Sequence, residues 1–364
     1  MKNTSYKKIL LIFLFLTTGH YLQAQEGVSK TIEKNYEFTN AGEMHLENKY
    51  GDITVTGWDQ NKVQIIIDIT VIKENKEDAK NLLKRIKPSI ITAEHFMNVF
   101  VNIEEKNQGF LSRIINTVNP FDLDKGSVQI DFDIKLPSNA DIQIINKFGD
   151  VIINDWYGKL NTKLQHGDMW INNDLNNASI ELKYGKLNAK SITYCDIELK
   201  NSEEFNLVES KDLKIASNGS NINIAKITNL EIYSSKDKIY IKHIERAQGE
   251  LEFSNMQVEE INEDINLNLE VADLFIHKIT KPNPNITLKQ ESSELNINIA
   301  NLSFDFKASL EQGLLRIPKS FSNIETNMIN KGNRLRDITA SYGNEKRGTF
   351  TITGKKGVII LKEK

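Results

Sequence analysis

The sequence predicts an all-β protein built as a single β-solenoid, with a coil of about 18 residues and one short helix in an N-terminal excursion. Three observations lead to this prediction: strict alternation of apolar and polar residues, glycines at a fixed interval, and an eleven-residue segment that occurs twice. Segments 48–58 (NKYGDITVTGW) and 146–156 (NKFGDVIINDW) share Asn, Lys, Gly, Asp and Trp at identical positions. We interpret each copy as one corner and one strand of a coil.

The alternation is the primary signal for strands. Segments such as INLNLEV at 265–271 and LNINIA at 295–300 place an apolar residue at every second position. This is the two-residue period of a strand with one buried face. Because a single coil of this size cannot bury its inner face alone, stacked coils must share one core.

Segment 1–24 is expected to be a secretory signal peptide. It combines basic residues, the apolar run ILLIFLFL at 9–16 and a small residue, Ala24, at the expected cleavage site. A membrane span needs about 20 apolar residues, and the run is far shorter. No later run reaches that length, so we expect an exported mature chain without a transmembrane segment.

Residues 25–145 are predicted to form an N-terminal β region with a helix-containing excursion at about 73–126. The helix is expected at 76–86, where Ala79, Leu82, Leu83 and Ile86 lie at helical spacing on one face and a proline follows.

A loop after the helix contains the apolar residues Phe110, Leu111 and Ile114. It is a candidate for binding a partner or a membrane surface. It could equally form a lid over the open end of the solenoid, and the need to cover an exposed core favours the lid.

Residues 146–364 are predicted to be the solenoid proper with C-terminal capping strands. Glycines and then isoleucines recur once per expected coil: Gly149, Gly167 and Gly185, followed by Ile227, Ile244, Ile261 and Ile279. The last segment, 348–362, is expected to be a terminal hairpin or final coil whose lysines discourage open-ended strand pairing.

Asp150, Asp168 and Trp170 are the candidate ligand-binding residues. Two aspartates that follow glycines one coil apart would stack about 5 Å from each other, where they could raise each other's pKa or bind a cation. Trp170 could stack on a sugar ring. The simpler interpretation is that the aspartates stabilise their own turns and the tryptophan packs. Lys186 in the next position disfavours a metal site.

Composition and motifs exclude several classes of function. Segment 1–24 holds three lysines and no acidic residue, so the rest of the chain has a net charge of −6, with interspersed signs. This argues against nucleic-acid binding. We find no zinc, serine-hydrolase or phosphate-binding motif and predict no cofactor. The single cysteine, Cys195, is expected to be buried and cannot form an internal disulfide.

The chain resembles the bacterial adhesin-like domain family of unknown function, also called the toast-rack family. Its typical strand-and-turn phrase is matched at Leu136, Pro137, Ala140, Ile142, Ile144, Gly149, Asp150 and Val151. The resemblance covers most of the mature chain and implies an exported, envelope-associated β-solenoid. It supplies no catalytic residues.

Three hypotheses about function follow from the sequence. The first is an exported, adhesin-like structural or interaction module without catalytic activity, facing a surface polymer or an envelope protein. The second is a carbohydrate-active β-helix enzyme that uses Asp150 and Asp168. The third is a periplasmic sensor that binds a partner through the loop near Phe110. Oligomeric state and the exact compartment stay open.

Overall fold

The computed structural model describes residues 26–104, 128–343 and 347–363. In this part of the chain there are 26 strands and one helix, α1 (Lys76–Arg85). The first strands are β1 (Glu26–Glu37), β2 (Glu43–Tyr50), β3 (Ile53–Trp58), β4 (Lys62–Lys73), β5 (Ile86–Ala93), β6 (Phe96–Ile103), β7 (Val128–Pro137), β8 (Asp141–Phe148) and β9 (Val151–Asn154).

The middle strands include five of 15 residues each. They are β10 (Leu160–Gln165), β11 (Met169–Lys183), β12 (Lys186–Lys200), β13 (Glu204–Asn218), β14 (Asn221–Ser235), β15 (Lys238–Glu252), β16 (Asn255–Ile261), β17 (Ile265–Glu270) and β18 (Asp273–Ile276). The last are β19 (Asn285–Glu291), β20 (Glu294–Asn298), β21 (Phe304–Glu311), β22 (Leu314–Arg316), β23 (Ser322–Asn330), β24 (Leu335–Tyr342), β25 (Gly348–Lys355) and β26 (Val358–Lys362).

The strands stack as parallel coils with two faces, which confirms the predicted all-β solenoid. Face one consists of β6, β2, β8, β10, the second halves of β11 to β15, β17, β19, β25 and β21, in that spatial order. Face two consists of β7, β3, β9, the first halves of β11 to β15, β16, β18, β20, β26 and β22.

The core is built from aligned inward residues of successive coils. On face one, Ile180, Ile197, Ile215 and Ile232 lie in register, and none is more than 3% exposed. Strand alternation explains this arrangement, because every second side chain points between the two faces. Coils of nearly equal length keep such columns aligned, as between Leu187, Phe205 and Ile222.

The chain divides into two compact units. The smaller comprises residues 1–31, 68–87 and 102–129, and the larger comprises 32–67, 88–101 and 130–364. The stack of coils belongs to the larger unit. Within the parts of the chain that the structure describes, no helix is long and apolar enough to cross a membrane.

Helix α1 occupies the segment for which the apolar spacing predicted a helix, and it lies in the smaller unit. Asn75 caps its N-terminus by accepting a hydrogen bond from the Glu77 amide at 2.7 Å. Ala79 and Leu82 are buried, and the chain becomes extended again at Ile86. Acidic residues in the first turn and basic residues in the last turn complement the helix dipole.

The stack extends beyond the boundaries expected from the sequence. Strand β6 lies inside the expected excursion at 73–126, yet it pairs with β2 on face one. Strands β2, β3, β7 and β8 also belong to the same stack, although most of their residues precede position 146. Strands β6 and β2 have the same alternation of apolar residues. Pairing with β2 therefore buries the apolar side of β6.

The C-terminal strands are arranged differently from the expected terminal hairpin. Strand β25 pairs with β19 on one side and β21 on the other, so β25 and β26 form an internal coil. The antiparallel pair β23 and β24 follows β21 instead. Lys355 is therefore not on a free edge. It forms an ion pair with Glu291 at 3.2 Å.

Candidate functional site

A ladder of aspartates joins the coils at the corner between face one and face two. The amide of Asp52 donates to Asp131 Oδ1, the amide of Asp150 to Asp52, the amide of Asp168 to Asp150, and the amide of Lys186 to Asp168, each at 2.8 Å. Each carboxylate thus bonds the neighbouring coil rather than its own turn. This corrects the expectation of self-contained turns and places Asp52 directly beside Asp150.

The electrostatics of the ladder agree with the expected stacking of like charges. Burial, together with the nearby Asp52 and Asp168 carboxylates, raises the pKa of Asp150, although the hydrogen bond from the Asp168 amide opposes this. In residues 26–104, 128–343 and 347–363, no group of three or more His, Cys, Asp or Glu side chains is arranged to hold a metal ion.

The glycines beside the ladder do line up along one edge, as the repeat predicted. A Cβ at Gly149, Gly167 or Gly185 would lie well inside van der Waals contact with the carbonyl oxygen of the glycine in the adjacent coil. Gly149 also has a φ of +132°, but no left-handed φ occurs at Gly167 or Gly185. Close approach between coils is therefore the common reason for glycine here, rather than backbone freedom.

The third predicted residue, Trp170, lies half-buried on the outer side of face two. It stands in register between Ile152 and Asn188. The repeated Trp156, in contrast, is completely buried. Asp150 and Asp168 are adjacent, as expected, but both are engaged in joining coils. The predicted partner-binding residues Phe110, Leu111 and Ile114 lie outside the residues that the structure describes.

An open groove on face one was not predicted from the sequence. Its volume is about 1010 Å³, and it crosses the coils from β10 to β19. Outward polar residues form one wall, with one residue from each successive coil: Asn177, Tyr194, Asp212, Asn229, Arg246 and Asp264. This regular spacing was visible in the sequence, but polar positions do not reveal the curvature that makes a groove.

Buried inward residues are also among those that line the groove. Ala178, Cys195 and Ala247 occupy one inward column together with Leu213 and Leu230. Cys195 is 5% exposed, and burial raises the pKa of its thiol above the ordinary value. The cysteine is therefore a small packing residue, as expected from the sequence, and not a nucleophile.

The wall residues form hydrogen bonds from coil to coil. Asn229 donates to Asp212 at 2.5 Å, and Arg246 donates to Asn229 Oδ1 at 3.0 Å. Lys211 donates to the Tyr194 hydroxyl at 3.2 Å, with its ammonium 5.3 Å from the ring centroid. These contacts hold amide, guanidinium and phenol groups in fixed positions along the groove.

The groove carboxylates with perturbed acidity are stabilised as anions. The hydrogen bond from Lys214 lowers the pKa of Glu231, and the two groups form an ion pair at 2.9 Å. At Asp264, burial acts to raise the pKa, but the Asn285 amide and Lys281 outweigh it and the pKa is lowered. A general acid for glycoside hydrolysis needs a raised pKa instead.

Comparisons with known proteins find weak similarity to solved structures. No family profile and no curated protein matches the chain. A proposed adhesin from Parabacteroides merdae is 10% identical over 73% of this chain and 90% of its own, with a TM-score of 0.34. A proposed lipid-binding protein from Parabacteroides distasonis is 10% identical over 73% of this chain and 96% of its own, with a TM-score of 0.30. A proposed adhesin from Bacteroides fragilis is 12% identical over 91% and 97%, with a TM-score of 0.23.

At identities of 10–12% and TM-scores of 0.34 or lower, the likeness says nothing about a ligand. Function is therefore inferred from the residues of this chain.

Proposed function

We propose that the protein is an exported, adhesin-like interaction module of the bacterial cell envelope without catalytic activity, and that the face-one groove binds an extended glycan. The observation that carries this proposal is the unbroken row of hydrogen-bonding side chains from Asn177 to Asp264. Successive coils lie about 4.8 Å apart, so this row presents groups over about 24 Å. Such an array suits a long polymer better than a compact small molecule.

The chemistry of the groove favours a hydroxyl-rich ligand. Its walls mix amides and charged groups of both signs, such as Asn229, Arg246 and Asp264, with one exposed aromatic residue, Tyr194. A nucleic acid would require a basic surface. Polar groups held in place by their neighbours bind hydroxyl groups without a large cost in side-chain ordering.

Export is supported by the predicted signal peptide. The single cysteine is buried and free. The polysaccharide-cleaving alternative is disfavoured because the Asp150 and Asp168 carboxylates accept backbone hydrogen bonds that join neighbouring coils, although burial raises the pKa of Asp150 as a general acid would require. The sensor alternative stays a prediction that depends on the loop near Phe110.

Affinity gel electrophoresis with a panel of soluble polysaccharides tests the proposal. Wild-type protein is expected to be retarded by at least one polysaccharide, and the double variant Tyr194→Ala, Asn229→Ala is expected to lose this retardation. The matched control is Tyr240→Ala, Asn223→Ala, which removes the same residue types from the outer side of face two. The control should behave like wild type.

Two results would contradict glycan binding in the groove: no retardation by any polysaccharide, or equal loss in both double variants. Release of reducing ends from a retarded polysaccharide would instead support the enzyme hypothesis. Far-UV circular dichroism of both variants establishes that each remains folded.

A further inference from the structure

The corner that follows each face-one strand forms a continuous column separate from the groove. In most of the stack this corner residue has a positive φ, as at Tyr184, Asn201, Gly219 and Phe253, with values of 58°, 50°, 70° and 49°. Its amide donates to the carbonyl at the end of the next face-one strand, for example from Tyr184 to Lys200 at 3.2 Å. The corner geometry is therefore set by the hydrogen bonds between coils.

Three of these corners carry large apolar residues in an unfavourable conformation. Tyr184, Phe253 and Val271 have positive φ values and are 45%, 54% and 49% exposed. Gly and Asn adopt such φ values readily, and the same column uses them at Gly219 and Asn201. A β-branched residue such as Val271 is a clear outlier there. The positive φ is common to the corners, but exposed apolar residues concentrate where a surface binds something.

The last residues of the face-one strands change from basic to acidic along the stack. The last residues of successive face-one strands lie in register in the order Lys183, Lys200, Asn218, Ser235, Glu252 and Glu270. The two lysines and the two glutamates thus lie at equal distances on opposite sides of the midpoint between Asn218 and Ser235. On the other side of the corner the column reads Lys186, Glu204, Asn221, Lys238, Asn255 and Asp273, and its two ends have the same relation. Within one chain, Lys186 already forms an ion pair with Glu203 at 3.3 Å and Lys183 forms one with Glu181, so these two lysines would exchange or share partners in a contact between copies.

We propose that this corner edge, which comprises Lys183, Tyr184, Lys186, Lys200, Glu252, Phe253, Glu270, Val271 and Asp273, binds a second copy of the chain in antiparallel orientation. A two-fold axis through the midpoint places each column against itself in reverse order. Lys200 then faces Glu252 of the second copy, Lys183 faces Glu270, and Lys186 faces Asp273. Tyr184 meets Val271 across the same contact.

The contact is limited in length by its own charges. One coil further out, Asp168 would face Glu294 of the second copy, which is a repulsive pair. The favourable region from Lys183 to Glu270 spans five coil steps, or about 24 Å. Even at a width of about 15 Å this gives roughly 360 Å² per copy, below the roughly 800 Å² of a standard interface. We therefore expect a reversible, salt-sensitive dimer.

Sedimentation velocity with two charge-reversal variants tests the proposal. The wild type is expected to dimerise at about 0.1 M salt, where the screening length is about 10 Å, and much less at about 1 M, where it is about 3 Å. Lys200→Glu and Glu252→Lys should each weaken dimerisation at least tenfold, because each creates two like-charge contacts. Mixing the two variants should restore it as a heterodimer, since both contacts are then complementary.

The matched control is the pair Lys242→Glu and Glu259→Lys. These substitutions make the same changes in net charge at outward positions of face two, away from the corner edge. They should leave wild-type dimerisation unchanged and show no gain on mixing. A wild type that stays monomeric at low salt, or a dimer that Lys200→Glu leaves intact, would overturn the proposal. If mixing the two control variants increased dimerisation as much as mixing Lys200→Glu with Glu252→Lys, net charge alone would explain the recovery. That result would also overturn the proposal.

Discussion

Substitutions at Asp150 separate a structural carboxylate from a catalytic or cation-binding one. Asp150 Oδ1 accepts the Asp168 amide at 2.8 Å, and its own amide donates to Asp52 Oδ1 at the same distance. Asp150→Asn keeps an acceptor oxygen and removes the charge. Asp150→Ala removes both, so the two variants differ mainly in the inter-coil hydrogen bond.

The expected effects follow from the position of Asp150. Alanine leaves the amide of Asp168 without its partner, which costs about 1–3 kcal/mol, and the partial exposure of the site places the value near the lower end. Asparagine should change the free energy of unfolding by no more than about 0.5 kcal/mol at neutral pH.

The pH dependence provides a second readout with a defined sign. Burial and the carboxylates of Asp52 and Asp168 raise the pKa of Asp150 above its ordinary value of 3.8. The folded state therefore binds this proton more tightly than the unfolded state does. The stability that the bound proton contributes is lost as the pH rises from the ordinary pKa of Asp through the raised pKa of the folded state. Asp150→Asn should remove this loss.

Urea unfolding followed by circular dichroism from acidic to neutral pH measures both effects, and hydrogen exchange of the Asp168 amide reports the bond itself. If asparagine proves as damaging as alanine, the negative charge itself is required and the ladder is not simply structural. Stabilisation of the wild type by millimolar calcium that is absent in Asp150→Asn would point the same way.

Two further predictions concern the packing and the buried charge of the corners. Gly167→Ala should destabilise the protein by roughly 1–3 kcal/mol, because the Cβ of the alanine would collide with the backbone oxygen of Gly149. The control Gly332→Ala, in an open turn, should be close to neutral in the same urea titration. Asp237 is 2% exposed, and burial raises its pKa despite hydrogen bonds from the Ser220 amide and the Ser234 hydroxyl. The urea concentration at the unfolding midpoint should therefore decline less from pH 4 to 7 in Asp237→Asn than in wild type. An unchanged decline would contradict this reasoning.

The fold was largely predictable because its signals are local. Alternation of apolar residues sets which side of each strand is buried, and this periodicity survives in almost every strand from β2 to β21. The fixed spacing of Gly149, Gly167 and Gly185 identified the coil length, and the structure aligns them along one edge. Helix α1 was found from its apolar spacing and the following proline.

The candidate site was predicted only in part. The stacking of Asp150 and Asp168 follows from the coil length, but their hydrogen-bond partners lie in neighbouring coils and are not local in sequence. The face-one groove is formed by residues of successive coils, from Asn177 to Thr287, which are far apart in the sequence. Alternation shows that Asn229 points outward, but it carries no information about curvature.

By itself, the sequence determined that the chain forms stacked coils of nearly constant length with apolar interiors, because burial depends on the residue type at each position. Only the tertiary structure decided which coil lies beside which. Strands β25 and β26 enter the stack between β19 and β21 and between β20 and β22. A parallel sheet edge accepts any strand whose alternation and hydrogen-bonding pattern match, so the order of the coils follows from the chain's complete path and not from any one segment.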